Sequence, residues 1–509
     1  MSIDPHAPAV EVARRVRAGE WSAVEVTRTA LAAAERLDPV LGAFAAITRE
    51  RAFAQAASVD AAVARGEDPG PLAGVPVPIK ELTEVEGLPF EAGSRALVGN
   101  IGRRTDAVAQ RLVDAGSTTL GTTAAPEFGF PAYTEPAGRL PAVSPWDTRR
   151  GAGGSSGGAA AAVAAGIVPI AHASDGGGSI RIPAASCGIV GLKPSRGVVS
   201  TLPTRTPGPG LVCDGVVSRT VADTALGLDV LAPDAPWGSL LAALDREPGR
   251  LRIGVTTQPV ISDTAAVHPA CVAAATTVAG WLADLGHEVS DAPRAFPAER
   301  WAAFDAVWAT GAASIPLPPE VEDELTPMTS WLRSRGRRVS GAEYAQAMAA
   351  IQLLEYEVDQ NWAGLDVVLT PTLAQPPAFV GAIRNDSDPA ADFAAQIDHT
   401  PWTSVANLTG SPSISLPLVR AEVDGQTLPI GVMLTGRRGR DDVLLRLAAQ
   451  LESAHPWPPV APLACARGVR ARNTEGPLAR AHKELHAGEG AVLGCPVAVR
   501  PRSAGTPAG

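Results

Sequence analysis

The chain has 509 residues, with 43 Lys/Arg against 53 Asp/Glu, a net charge of −10, and 46% apolar and 19% charged residues. This is the make-up of a soluble globular protein with a large core, and length alone suggests about two to four domains. The acidic balance excludes a general nucleic-acid binder, and five scattered cysteines without a CxxC pair (Cys187, Cys213, Cys271, Cys465, Cys495) argue against a disulfide framework or a structural zinc site.

The first ten residues, broken by Asp4, Pro5 and Pro8, have no basic and apolar signal pattern. Residues 7–65 read as helices, one of them opened by a Ser22-Ala23-Val24-Glu25 capping box. Val75–Ile79, with prolines at 76 and 78, reads as a distorted or edge strand ending at Lys80. A helix over Asp106–Gly116 and a strand over Thr118–Leu120 follow, then a small-residue helix over Gly157–Ala165 and a buried strand over Ile167–Ile170. The alanine-rich stretch 159–173 is too short and weakly apolar to span a bilayer.

Further on, a helix is expected over Thr220–Leu231. Leu251–Val255, a helix near Pro269–Leu285 and Glu288-Val289 form a β-α-β pattern. Helices follow at Ala298–Thr310 and Gly341–Asn361, strands at Asp366–Thr370, Ser413–Leu416 and Pro429–Leu434, and a last helix at Asp441–Ser453. Alternation over more than 400 residues implies an α/β fold with a mixed central β-sheet covered by helices on both faces. The texture changes after Pro462. Residues 464–509 hold seven Lys/Arg and three Asp/Glu among many Gly and Pro, and this basic tail is expected to be disordered and outside a domain spanning 1–463.

Two serines sit in separate glycine-rich turns. Ser155 lies in Gly153-Gly154-Ser155-Ser156-Gly157-Gly158, and Ser179 ends Asp175-Gly176-Gly177-Gly178-Ser179. The N–H groups of Gly176, Gly177, Gly178 and Ser179 can converge on one point, as an oxyanion hole requires, where each donor is worth ~3–4 kcal/mol of barrier. A tight turn around a buried serine is the competing reading. Gly153-Gly154-Ser155-Ser156-Gly157 also matches the G-x-S-x-G nucleophile elbow, but the apolar strand that must precede an elbow is missing.

A serine nucleophile needs a base. None of the eight histidines lies in an active-site-like motif, and His172 reads as packing. A lysine can serve if burial keeps it neutral, and Lys80, at the end of an apolar run, is the candidate against an ordinary surface lysine.

In order, Gly74-Val-Pro-Val-Pro-Ile-Lys80, the Gly153–Gly158 turn, Ser174-Asp-Gly-Gly-Gly-Ser-Ile-Arg-Ile-Pro183 and Cys187-Gly-Ile-Val-Gly-Leu-Lys-Pro194 resemble the amidase signature family of serine hydrolases. Arg219-Thr-Val-Ala-Asp223, Leu369-Thr-Pro-Thr372 and Thr409-Gly-Ser-Pro-Ser-Ile-Ser-Leu-Pro417 extend the resemblance over roughly residues 8–462. It implies a catalytic triad of Lys80, Ser155 and Ser179, with a cis peptide bond at Gly154–Ser155. Ser179 would be the acylated nucleophile and Ser155 the relay to Lys80. Ser156, Asp175 and Arg181 would support the turn, and Cys187 would be a small core residue.

The resemblance implies hydrolysis of a small carboxylic amide without metal or cofactor; the scattered cysteines point to the cytoplasm, the acidic charge and the lack of a spanning apolar stretch to no nucleic-acid or membrane partner, and a homodimer is left open. Two features depart from the pattern. Gly176 stands where the family often has Thr or Ile, and Ala152 replaces a frequent proline. The triple glycine is similar to a branch that hydrolyses linear and cyclic amides such as nylon oligomers, so a 6-aminohexanoate cyclic-dimer hydrolase-like activity is one alternative. The glutaminase subunit of a tRNA-dependent amidotransferase and a non-catalytic scaffold are the others. Trp301, Trp308 and Trp331 mark a pocket wall or ordinary helix packing.

Overall fold

The computed structural model describes residues 3–465, which lie in one compact unit. The expected disordered tail falls, from residue 466 on, outside the described residues. A small sheet contains β1 (Phe44–Ile47), β2 (Ile79–Lys80) and β3 (Gly121–Thr123) in the order β1-β3-β2. A second sheet has eight strands: β4 (Ile170–Asp175), β5 (Val190–Lys193), β6 (Cys213–Ser218), β7 (Arg252–Val255), β8 (Glu288–Asp291), β9 (Val367–Pro371), β10 (Ser413–Val423) and β11 (Gln426–Gly436). Its order is β4-β6-β5-β10-β11-β9-β7-β8. The neighbours from β4 to β9 are antiparallel and the last two pairs parallel, so the sheet is mixed as expected.

Helices cover both faces. Residues 221–231, 269–284 and 441–454 pack on one side through Val221, Leu228, Val278, Leu282, Leu444 and Leu447, against Ile253, Ile414 and Val432 of the sheet. On the other side lie the helices Gly157–Ala164 and Arg181–Cys187. The second can approach closely because two facing strand positions are glycine. A Cβ on Gly191 of β5 would stand 2.6 Å from the Ala184 Cβ, and one on Gly431 of β11 would stand 2.6 Å from the Ala185 Cβ.

Several local readings shift. The Ser22 side chain does accept from Glu25 N–H, but Asp60 completes the cap, accepting from Ser22 Oγ at 2.6 Å and from Ala23 N–H at 2.6 Å. Phe44–Ile47 is a strand inside the region read as helical. The expected strand Val75–Ile79 shrinks to β2 because Pro76 and Pro78 have no N–H for a ladder, and Thr118 forms only an isolated bridge with Pro76. The strand read at Ile167–Ile170 begins at Ile170 instead and continues through polar residues to Asp175, which are paired with β6. The β-α-β pattern of β7, Pro269–Asp284 and β8 stands, with β7 and β8 parallel.

Replacing Gly191 with alanine should overpack the contact between strand and helix and lower stability by about 1–3 kcal/mol. The denaturation midpoint reads this, and an unchanged midpoint would show that the helix has room to retreat.

Candidate active site

Lys80 ends β2, next to β4, and its side chain is fully buried. Its Nζ lies within hydrogen-bonding distance of Ser155 Oγ at 2.8 Å, Ser174 Oγ at 3.1 Å and the Ser174 carbonyl oxygen at 3.2 Å. Burial brings its pKa down to about 7, against the opposing pull of the carboxylates of Asp175, Asp214 and Glu81. Its backbone N–H points at His172 Nδ1 at 3.4 Å. The other ring nitrogen, Nε2, faces Asp214 Oδ1 at 3.2 Å, and Asp214 in turn accepts from Arg205. His172 is therefore tied into the strand behind Lys80 and does not serve Ser179 as a base.

Ser155 follows a cis Gly154–Ser155 bond just before the helix Gly157–Ala164. Ser156 joins the two serine turns. Its Oγ donates to the Ser174 carbonyl at 3.2 Å, and its N–H donates to the Ser179 carbonyl at 3.2 Å.

The Ser179 turn is built around Asp175. Its carboxylate receives a two-pronged ion pair from Arg181, with Nε and Nη2 at 2.9 Å, and both side chains are fully buried. Asn407 Nδ2 adds a bond at 2.8 Å. Burial alone would raise the Asp175 pKa, but the charge and hydrogen bonds of Arg181, with Asn407, hold it down to about 2. The same carboxylate accepts Gly178 N–H at 2.8 Å and Ile180 N–H at 3.1 Å.

This corrects one expectation. Gly178 is not an oxyanion donor, because its N–H is taken by Asp175, while the carbonyl at the other end of that peptide plane, Gly177 O, accepts from Thr403 Oγ1 at 2.7 Å. The peptide is a strut. The N–H groups of Gly176, Gly177 and Ser179 have no hydrogen-bond partner among the described residues. The Asp175 carbonyl is fixed by Asn407 Nδ2 at 3.0 Å, which turns the Gly176 N–H to the opposite side of its peptide plane.

Ser179 is 7% exposed and lies in a cleft whose walls include Trp301, Phe304, Trp308, Phe130 and Phe393. No hydrogen bond joins its hydroxyl to Ser155 or to any other described residue. Of the three tryptophans for which pocket wall and helix packing stood open, Trp331 does not line this cleft but packs on Phe393 with ring centroids 5.5 Å apart.

The amidase family model matches residues 25–445. The 6-aminohexanoate-cyclic-dimer hydrolase of Paenarthrobacter ureafaciens is 33% identical over 89% of this chain and 96% of its own length. A putative amidase, AmiB2, of Mycobacterium tuberculosis is 35% identical with the same coverage. The chain belongs to the amidase signature family. A solved structure of a 6-aminohexanoate cyclic dimer hydrolase with substrate superimposes with a TM-score of 0.83 at 30% identity, covering 91% of this chain and 100% of the other. This amidase hydrolyses carbon–nitrogen bonds of amides other than peptide bonds.

Four further residues hold the site with little sequence signal of their own role: Ser174, Thr403, Asn407 and Asp214. Ser174 lies within the glycine-turn motif, and its position next to Asp175 is a usable signal. The others reach the site only through the fold. Cys187 is fully buried, with burial pushing its thiol pKa up, as a core residue's would be. Among the described residues no group of His, Cys, Asp and Glu is arranged to hold a metal, and no helix is long and apolar enough to cross a membrane.

Changing Arg181 to methionine would leave the Asp175 carboxylate buried and unpaired. Stability should fall by about 3–5 kcal/mol, with the shape of the Ser179 turn lost. Denaturant unfolding and amide hydrolysis assayed on the same protein should fall together, and a fully active, equally stable variant would contradict this account of the turn.

Proposed function

We propose that Ser179 is the nucleophile, Ser155 the proton relay and Lys80 the base of an acyl-enzyme mechanism acting on small, uncharged amides. The observation that carries this reading is the contact of a fully buried lysine with Ser155 Oγ at 2.8 Å. A neutral amine has two N–H donors and one lone pair. The two oxygens of Ser174 take the donors, and the lone pair is left for the Ser155 hydroxyl proton.

As Ser179 Oγ attacks the amide carbon, its proton passes to Ser155 and that of Ser155 to Lys80. The Ser179 hydroxyl has to rotate towards Ser155 for this, since the two are not bonded at rest. The carbonyl oxygen gains a negative charge facing the free N–H groups of Gly176, Gly177 and Ser179. When the carbon–nitrogen bond breaks, the proton returns through Ser155 to the departing amine. Water then repeats the sequence on the ester, regenerating Ser179 and releasing the carboxylic acid.

The cleft supports an uncharged substrate. No charged side chain lines it, so the α-ammonium and α-carboxylate of glutamine have no counter-charge there. This disfavours the glutaminase reading. Similarity to cyclic-dimer hydrolases keeps cyclic amides within the proposed range. A cytoplasmic setting fits Cys187, Cys213 and Cys271, all free thiols.

Intact-mass analysis with a fluorophosphonate reagent should show one adduct on the native protein and none on Ser179→Ala, with amide turnover lowered at least about 10⁴-fold. Labelling that persists would sink the nucleophile assignment. Because the base must be neutral, kcat/KM should rise with pH through about 7 and level off above it. Lys80→Ala should lose about 10²–10⁴-fold in rate and recover part of it at alkaline pH. A profile flat from pH 5 to about 9 would remove Lys80 from the relay.

A further inference from the structure

The first two glycines of the nucleophile turn face two aromatic rings one helical turn apart. A Cβ on Gly177 would stand 3.3 Å from Phe304 Cζ, and one on Gly176 would stand 3.0 Å from both Cη2 and Cζ3 of Trp308. Neither glycine has a positive φ that excludes side chains. The backbone at 176 therefore tolerates alanine, and what demands glycine there is the indole, with Val212 Cγ2 next at 3.2 Å.

The ring is also held from behind. Trp308 stacks on Phe304 with centroids 5.2 Å apart, Phe304 stacks on Trp301 at 5.0 Å, and Phe130 meets Trp308 edge-on at 5.4 Å. A stacked aromatic wall thus lines the cleft beside Ser179 and reaches the loop that carries the free N–H groups.

We propose that Trp308 is the specificity-determining residue of this amidase: its indole, seated on Gly176, is the face against which the ring of an aromatic amide is held next to Ser179. The inference rests on the assignment of Ser179 as nucleophile. Glycine at 176 and tryptophan at 308 form a matched pair, in which the side chain missing from the loop makes room for the wall. Planar uncharged rings gain offset-stacked or edge contacts there that an alkyl chain lacks.

The test compares kcat/KM for benzamide and acetanilide, which place the ring on the acyl or the amine side, with hexanamide, which has none. Trp308→Ala in the full-length protein should reduce the preference for the better ring-bearing amide about tenfold, mainly through KM. Trp308→Phe should keep most of it. Gly176→Ala should also reduce the preference by displacing the indole. The double variant should be no worse than Trp308→Ala alone, because the indole that the added Cβ would displace is gone and only Val212 Cγ2, at 3.2 Å, has to yield by a few tenths of an ångström.

An unchanged preference in Trp308→Ala, or effects that simply multiply in the double variant, would overturn the proposal. A turnover-free arm separates it from the catalytic assignment. In Ser179→Ala protein, adding Trp308→Ala should weaken the calorimetric Kd of the better ring-bearing amide about tenfold, and an equal Kd would refute the subsite. Failure of Ser179 to take up the fluorophosphonate in native protein would instead refute the nucleophile assignment, whatever the ring preference.

Discussion

One carboxylate shapes this site. Asp175 sits at the end of β4 and receives Arg181 from the following helix, Asn407 from the helix Thr403–Thr409, and the N–H groups of Gly178 and Ile180 from its own turn. A buried charge with that many partners is stable only when all are in place. Arg181 also donates to the Thr403 carbonyl at 2.7 Å and to Asn407 Oδ1 at 2.7 Å, so the segment around residues 403–407 is bound to the same centre. The turn is rigid although it is rich in glycine, because alternate peptide planes are consumed as struts. Those left over keep their N–H groups free. Rigidity and available donors come from the same arrangement.

Around Lys80 the opposite principle holds. Asp175 is kept charged by its partners, whereas Lys80 has no carboxylate within hydrogen-bonding reach, only hydroxyls and a carbonyl. The nearby carboxylates are committed elsewhere: Asp175 to Arg181, Asp214 to Arg205 and His172, and Glu81 to Arg139 at 2.8 Å. Their fields oppose the desolvation of the amine without cancelling it, which leaves the pKa at about 7. A direct ion pair would fix the lysine as a cation, unable to accept a proton.

Much of this was legible because the chemistry lies in local motifs. Glycine runs around Ser155 and Ser179 marked the turns, and an apolar run before Lys80 marked its burial. Periodicity located the long helices and the β7-β8 unit. It did not find β5 or β6, whose residues are short, mixed and glycine-containing yet lie mid-sheet. The β10–β11 hairpin had an Asp424-Gly425 turn, with both residues at positive φ, as its signal, but only parts of the two strands were read. Gly178 was misassigned because a Gly-Gly-Gly-Ser string contains equivalent N–H groups, and only a carboxylate folded back from Asp175 distinguishes them. Thr403 and Asn407 lie more than 200 residues from the turn they hold, with no local pattern to announce it.

The polar residues in the cleft are turned to structural use. Gln396 Oε1 accepts Ala132 N–H at 2.8 Å while its Nε2 donates to Asp392 at 2.6 Å, and Trp301 Nε1 donates to Ser404 Oγ at 2.9 Å. What remains facing the substrate is mainly aromatic and aliphatic. Such a wall limits hydration around Ser179, and low local polarity strengthens the attraction between the free N–H groups and a developing oxyanion. Lys80 stands outside that lining, where its own burial holds its pKa at about 7. A charged group entering the cleft would find no counter-charge on its lining and would meet the full desolvation penalty. The cleft and the lysine pocket are therefore two separately desolvated environments, and a change that wets the cleft should weaken the field of the free N–H groups while leaving the lysine pKa in place.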